Sequence, residues 1–223
     1  MKAVLLDVLG TLLYLSDPAP KLRARLAERG IEVDAEAAAR AFQAEIAYYL
    51  AHHTDGATPE GLEDLRDRCA AEIARELDLG PERHADVRAA MLDALAFEPF
   101  DDVVPALEAL RARGLRLVAA SNWDCSLGEV LERAGLARHL DGAVSSALAG
   151  APKPEPAVFE AALEVAGCAP AEALFAGDSV VNDVRGAEAC GIPAVLVARD
   201  GRAPDGVRSI RSLAELPALI SRR

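Results

Sequence analysis

A few polar side chains in this chain stand where runs of apolar residues end. Asp7 interrupts KAVLLDVLGTLLY, residues 2 to 14, and is followed by Gly10 and Thr11. Ser121 and Asn122 close RLVAASN, Lys153 sits between prolines in APKPEP, and GDSVVND carries Asp178 and Asp183. A carboxylate at the end of a buried strand can act as nucleophile, metal ligand or both. Ser and Asn offer small hydrogen-bonding groups. Lys153 is one of only three lysines in the chain, and an ammonium there suits an anionic intermediate. Each residue alone has an ordinary explanation: a turn, a solvated loop, or acids in the first turn of a helix. Their succession at the ends of consecutive apolar runs favours one shared cleft. Three carboxylates in one cleft repel unless a cation joins them or one takes a proton. An oxygen-rich acidic site with room for water suits Mg²⁺.

The elements that must position these groups follow from the apolar pattern. Five short runs read as buried strands: 3–9, 116–121, 142–146, 173–178 and 194–199. Helical patterns separate the later ones, as in DVVPALEALRARG, SLGEVLERAGL, EPAVFEAALEVAG and the shorter VNDVRGAEACG, and a last helix follows Leu213. Strands alternating with helices predict an α/β fold, a parallel sheet with helices on both faces. Ligands of such sheets bind beyond the carboxyl ends of the strands, where Asp7, Ser121 and Asp178 fall. Residues 15–98 break the rhythm. They hold no good strand, only amphipathic helical segments, and FEPFDDVVP reads as the linker that returns to the core. The expected division is a core of residues 1–14 and 99–223 with a helical insertion over 15–98.

This order of motifs resembles the haloacid dehalogenase superfamily of hydrolases. DVLGTL looks like its first motif, with Asp7 as nucleophile and Thr11 four places on. Ser121-Asn122 looks like the second, Lys153 of KPEP like the third and GDSVVND like the fourth. The resemblance implies a Rossmann-like core, a mobile helical cap in the place of the insertion, and an aspartyl-enzyme intermediate. For the phosphatases of the family it also implies Mg²⁺ bound by Asp7, the backbone carbonyl of Leu9 and Asp178, with Asp183 in support.

Leu9 departs from that pattern. Phosphatases of the family carry a second Asp there, which protonates the leaving alkoxide and later activates water. Such proton transfer contributes typically ~10²–10⁴-fold in rate, and leucine cannot supply it. Three readings follow. The favoured one is a Mg²⁺-dependent phosphatase acting on a small phosphorylated metabolite, since Asp178 keeps the metal site and good leaving groups need little protonation. Asp124, His52 and His53 are stand-in acids, although Asp124 reads more simply as a helix cap and the histidines as surface residues. The second is a 2-haloacid dehalogenase, whose halide leaves without a proton. That family resemblance also implies a serine where this chain has Asp178, a tyrosine where it has Phe159, and a cap arginine on the substrate, for which Arg40 is a candidate. The third is a non-catalytic binding protein that retains the cleft.

Composition narrows the partners. Of the 223 residues 52% are apolar, enough for a substantial core, and the net charge of −12 disfavours nucleic acid. The expected partner is a small anionic substrate, with the chain a monomer or a homodimer. No apolar run reaches the ~18 residues of a membrane span. The first residues read as a strand rather than a signal peptide, because Asp7 breaks the run. Cys69, Cys125, Cys168 and Cys190 show no metal or redox spacing, which fits buried thiols in a reducing, cytoplasmic setting. Tyr48 and Tyr49 read as core packing of the cap.

Overall fold

The structure, a computed structural model, describes residues 1–220. The elements run β1 (Ala3–Leu6), β2 (Leu13–Leu15), α1 (Pro18–Ala27), α2 (Ala35–His52), α3 (Pro59–Glu76), α4 (His84–Ala94), β3 (Phe97–Pro99), α5 (Val103–Arg111) and β4 (Arg116–Ser121). They continue with α6 (Leu127–Arg133), β5 (Gly142–Ser145), α7 (Ser146–Ala149), α8 (Pro156–Ala166), β6 (Ala173–Gly177), α9 (Gly186–Ala189), β7 (Ala194–Val197), β8 (Ser209–Ile210) and α10 (Leu216–Leu219). The chain divides into two compact units, one of Met1–Tyr14 with Glu98–Arg223 and one of Leu15–Phe97. Residues 221–223, the end of the expected core segment, lie outside the described residues.

The first unit is an α/β fold. Its six-stranded sheet has the order β5-β4-β1-β6-β7-β8, and every neighbouring pair is parallel. β1 lies at the centre and all four of its residues are buried, as an apolar strand covered on both faces must be. Ala3 and Leu5 join Val118, Phe175, and the apolar stripe of α8 (Val158, Phe159, Ala162, Ala166) in one core layer. Alternation sends Val4 and Leu6 to the opposite face. There α5 packs against β4 and buries Val103, Ala106, Leu107 and Leu110.

Five strands match the expected runs but stop one to three residues earlier at four of the five carboxyl ends. The shortening has a reason at the site: Asp7 and Asp178 leave the sheet and begin the loops. β8, a two-residue edge strand, was not foreseen, because Ser209-Ile210 carries no run long enough to read. The linker expectation also needs correction, since Phe97–Pro99 is a strand that pairs with β2 in a separate two-stranded sheet. Both crossings between the units therefore run through this ribbon.

The second unit is helical. Its core gathers Leu22 and Leu26 of α1, Ala41 and Phe42 of α2, Leu65, Cys69 and Ile73 of α3, and Val87, Ala90 and Met91 of α4. Tyr48 and Tyr49 pack against this cluster. Helix starts are sharply marked. Asp34 accepts from the Ala37 amide at 2.7 Å to open α2, and Thr58 accepts from the Gly61 amide at 3.1 Å to open α3.

Candidate active site

The parallel register brings the ends of β1, β4 and β6 level. Leu6 pairs with both Ala119 and Ala176, and the Asp7 amide donates to the Ala176 carbonyl at 2.9 Å. Asp7, Ser121 and Asp178 therefore emerge side by side. After Asp7 the chain turns tightly: the amides of Leu12 and Leu13 both donate to the Val8 carbonyl at 2.8 Å. Gly10 occupies a left-handed conformation at φ 82°, and a Cβ there would collide with the Asp178 carboxyl. Glycine is thus required twice at this position, by backbone angle and by the approach of a carboxylate. Gly177 does the same for Asp183, whose carboxyl fills the space a side chain would take.

Lys153 is the hub. Its Nζ donates to Asp7 Oδ1 at 2.7 Å and to Asp183 Oδ1 at 2.6 Å, with only 4% of the residue exposed. Ser121 Oγ donates to the same Asp7 oxygen at 2.9 Å. None of these bonds uses Asp7 Oδ2. Burial opposes the charge on Lys153, but Asp7 and Asp183 outweigh it and raise its pKa. Asn122 commits both ends of its amide to the Lys153 backbone, accepting from its N–H at 2.7 Å and donating to its carbonyl at 3.0 Å. The ring of Phe175 lies 5.2 Å from Nζ.

Asp183 is buried within a π-type turn, Val180–Arg185, which Ser179 caps by accepting from the Asn182 amide. Its second oxygen accepts from the Ser179 amide at 2.8 Å, so both oxygens have partners. Burial and Asp7 push its pKa up while Lys153 pulls it back. Asp178 is the exposed member and touches no ammonium. Desolvation in the cleft, then Asp7 and Asp183, raise its pKa to about 7. The shifts of Lys153 and Asp183 pull in opposite senses on their ion pair. The geometry favours an ionised Lys153, because one ammonium bonds both Asp7 and Asp183; a single positive charge then stands against three carboxylates, and Asp178 has no bond to it.

Asp7, Asp178 and Asp183 each place one carboxylate oxygen within 4.8 Å of the others. An all-oxygen, electron-rich donor set with excess negative charge fits a hard divalent cation. Thr11 adds a buried Oγ1 that has no hydrogen-bond partner. The arrangement can hold an anion beside a fixed carboxylate, with one ammonium on the spot.

The haloacid dehalogenase-like hydrolase family model matches residues 1–191. The chain belongs to the haloacid dehalogenase-like hydrolases. It is 44% identical over 92 residues to the bovine haloacid dehalogenase-like hydrolase domain-containing protein 3, a match covering 41% of this chain and 37% of that relative. The chain thus spans well under half of that curated relative. A glyceraldehyde 3-phosphate phosphatase of Methanopyrus kandleri is 31% identical over 207 residues, 89% of this chain and 84% of that protein. Among solved structures, a phosphatase of the family from Thermococcus onnurineus superposes with a TM-score of 0.67 at 25% identity, covering 98% of this chain and 97% of that one. A 2-haloacid dehalogenase from Pseudomonas syringae shares the fold at TM-score 0.71 and 23% identity, with 98% and 97% covered.

As a haloacid dehalogenase-like hydrolase, the chain carries Asp7, Ser121, Lys153 and Asp183 in one bonded cluster with Asp178 beside it. Thr11 lies in the same turn as Asp7, and its hydroxyl makes no hydrogen bond to that cluster. Leu9 is 39% exposed on the turn after Asp7. Of the stand-in acids, His52 keeps the expected partly exposed place, while Asp124 and His53 do not. Asp124 is buried, and its Oδ1 accepts from the Ser126 amide at 2.7 Å. His53 is buried rather than on the surface, with Nδ1 at 3.1 Å from the Leu50 carbonyl, while His52 stacks on Tyr48. Arg40 is held by Glu36 on its own helix at 2.9 Å. Phe159 is fully buried and meets Phe175 edge-on.

Sequence reasoning missed Ser179 and Gly177, although GDS followed by a helical pattern is a readable cap signal. It also missed the clamp made by Asp102 and Arg199. Nothing local marks that pair, whose members stand 97 residues apart.

Proposed function

We propose that this haloacid dehalogenase-like hydrolase is a Mg²⁺-dependent phosphatase acting on a small phosphorylated metabolite, with Asp7 as nucleophile. The observation that carries the reading is the division of labour within one carboxylate. Ser121 and Lys153 fix Asp7 Oδ1, and Oδ2 is left for attack. The phosphatase names of several relatives support it.

The residues act in sequence. Lys153 meets the charge of the incoming phosphoryl group, and Asn122 holds the Lys153 backbone in place. Ser121 keeps the Asp7 carboxylate aimed. Asp7 Oδ2 bonds to phosphorus while the bond from phosphorus to the leaving oxygen breaks, and that oxygen departs with the electron pair. Thr11 and the backbone amides directly beside Asp7 are assigned the part of holding the transferred oxygens. Water then cleaves the aspartyl-phosphate and frees Asp7. Asp183 maintains Lys153 and completes the acidic cluster. Asp7 and Asp178, with the Leu9 carbonyl and Asp183 in support, would hold Mg²⁺, which would neutralise charge on the phosphoryl oxygens. Leu9 donates no proton, so the leaving group must be stable as an anion. Residues 15–98 are assigned the part of a cap that excludes bulk water and recognises that group. The four cysteines form no disulfide, in keeping with a cytoplasmic setting.

Leu9 favours one second reading, carbon–halogen hydrolysis, in which the departing halide needs no acid. The test is hydrolysis of p-nitrophenyl phosphate in Mg²⁺ and in EDTA, with Asp7→Asn as control. Turnover that requires both Mg²⁺ and Asp7 is expected. Equal rates for the wild type and Asp7→Asn would sink the phosphatase reading, and release of chloride from 2-chloropropionate would then decide for the second.

A further inference from the structure

Arg199 lies two residues beyond β7, far in sequence from every group of the site. Its guanidinium donates to the Thr11 carbonyl at 2.6 Å and to Asp102 Oδ2 at 3.1 Å. It lies over the Phe100 ring, with its central carbon 3.6 Å from the centroid. Asp102 is anchored in turn. It accepts from Ser212 Oγ at 2.6 Å and from the Leu213 amide at 2.8 Å, which ties the C-terminal segment to the start of α5. Thr11 belongs to the turn that leaves Asp7, and the amides on its far side, Leu12 and Leu13, are bonded to the Val8 carbonyl. The Phe100 amide donates to the Leu12 carbonyl at 3.2 Å, so Phe100 touches the turn by its backbone and Arg199 by its ring.

We infer that Arg199 is a positioning residue of the nucleophile turn. It grips the Thr11 carbonyl and is itself held by Asp102 and Phe100. The inference rests on Asp7 being the nucleophile. The turn is a tight loop carrying a carboxylate that must meet phosphorus in line, and a misplacement of ~1 Å can cost ~10² in rate. Arginine suits the task because its planar fork can bond a carbonyl and a carboxylate at once while stacking on a ring. The Nε of Arg199 has no partner, so the hold depends on the two terminal nitrogens. Lysine, a point charge on a mobile stem, cannot replace both bonds.

The test compares wild type, Arg199→Ala and Arg199→Lys in two assays: p-nitrophenyl phosphate kinetics, and deuterium exchange resolved over residues 3–14 and 173–178. For Arg199→Ala, kcat is expected to fall by ~10–10²-fold with KM nearly unchanged. Exchange at Leu12 and Leu13 should accelerate while β6 stays protected, and added guanidinium should restore part of kcat. Arg199→Lys should fall between the two, and it carries the test if the alanine variant does not fold. Unchanged kcat with unchanged exchange at Leu12 and Leu13 would overturn the inference. So would uniform acceleration of exchange across both segments without guanidinium rescue, which marks a merely structural residue. A wild type that turns over no phosphate ester would refute the phosphatase reading instead. The exchange pattern would still decide whether Arg199 holds the turn.

Discussion

At the scale of single residues, the site turns on what stands two places after Asp7, the proposed nucleophile. Leu9 has no proton to give, while Ser121 and Lys153 are both committed to Asp7 Oδ1. Restoring an acid should therefore help most where the leaving group is worst. For Leu9→Asp, hydrolysis of an alkyl phosphate is expected to rise by ~10²-fold, and that of p-nitrophenyl phosphate by much less. Parallel kcat/KM measurements on the two substrates check this, and equal gains on both would show that the leucine does not limit protonation. Asp7 and Asp178 stand out as candidates by their places at strand ends, and Lys153 by its place between prolines. Their bonding was not legible in the sequence. That Asn122 serves Lys153, and that Asp183 spends both oxygens on Lys153 and Ser179, depends on separations of a few ångströms between segments far apart in sequence.

At the scale of elements, the carboxylates are held by turns. The π-type turn over Val180–Arg185 delivers Asp183 under the end of β6, and Ser179 starts it by capping the Asn182 amide at 3.1 Å. Such turns are rare and often mark functional sites. Ser179→Ala should cost about 1 kcal/mol of stability through the lost cap. The backbone amide that holds Asp183 Oδ2 survives that change, so most of the activity should survive as well. Urea unfolding measures the first and p-nitrophenyl phosphate turnover the second; a loss of activity far beyond the stability change would assign Ser179 a direct part. The helical pattern of VNDVRGAEACG announced a helix here. It could not announce the wider turn, because one extra residue between hydrogen-bonded groups leaves no mark in the apolar period.

At the scale of the whole molecule, one buried acid in the helical unit makes stability depend on pH. Glu45 of α2 is 5% exposed, and burial raises its pKa from 4.5 to about 7, against a small opposing hydrogen bond from the Cys69 thiol. Below pH 4.5 the carboxyl is protonated whether the chain is folded or unfolded. Between that value and about 7 the unfolded chain ionises while the folded one keeps its proton, so stability falls as pH rises. Above the folded value the penalty is constant, on the order of 3 kcal/mol. Glu45→Gln should remove this component. The difference in unfolding free energy between variant and wild type should grow from pH 4.5 to 7 and then level off. A difference that does not change with pH would show that Glu45 ionises in the folded protein as readily as in water.

The sequence by itself determined the kind of fold and marked the candidates for the site. Alternating apolar strands and helices can bury their faces only as a layered parallel sheet, and strand-end polar residues then converge by geometry. Local patterns also located the helical segment between residues 15 and 98, because amphipathic spacing is a local property. The tertiary structure decided the rest. β8 and the β2–β3 ribbon exist because a partner strand lies alongside, for their own two or three residues carry too little signal. The grip of Arg199 on the Thr11 carbonyl spans 188 residues of sequence. Hydrogen bonds, steric limits such as the one on Gly10, and shared charge all act over a few ångströms, and only the folded chain brings those groups within that range.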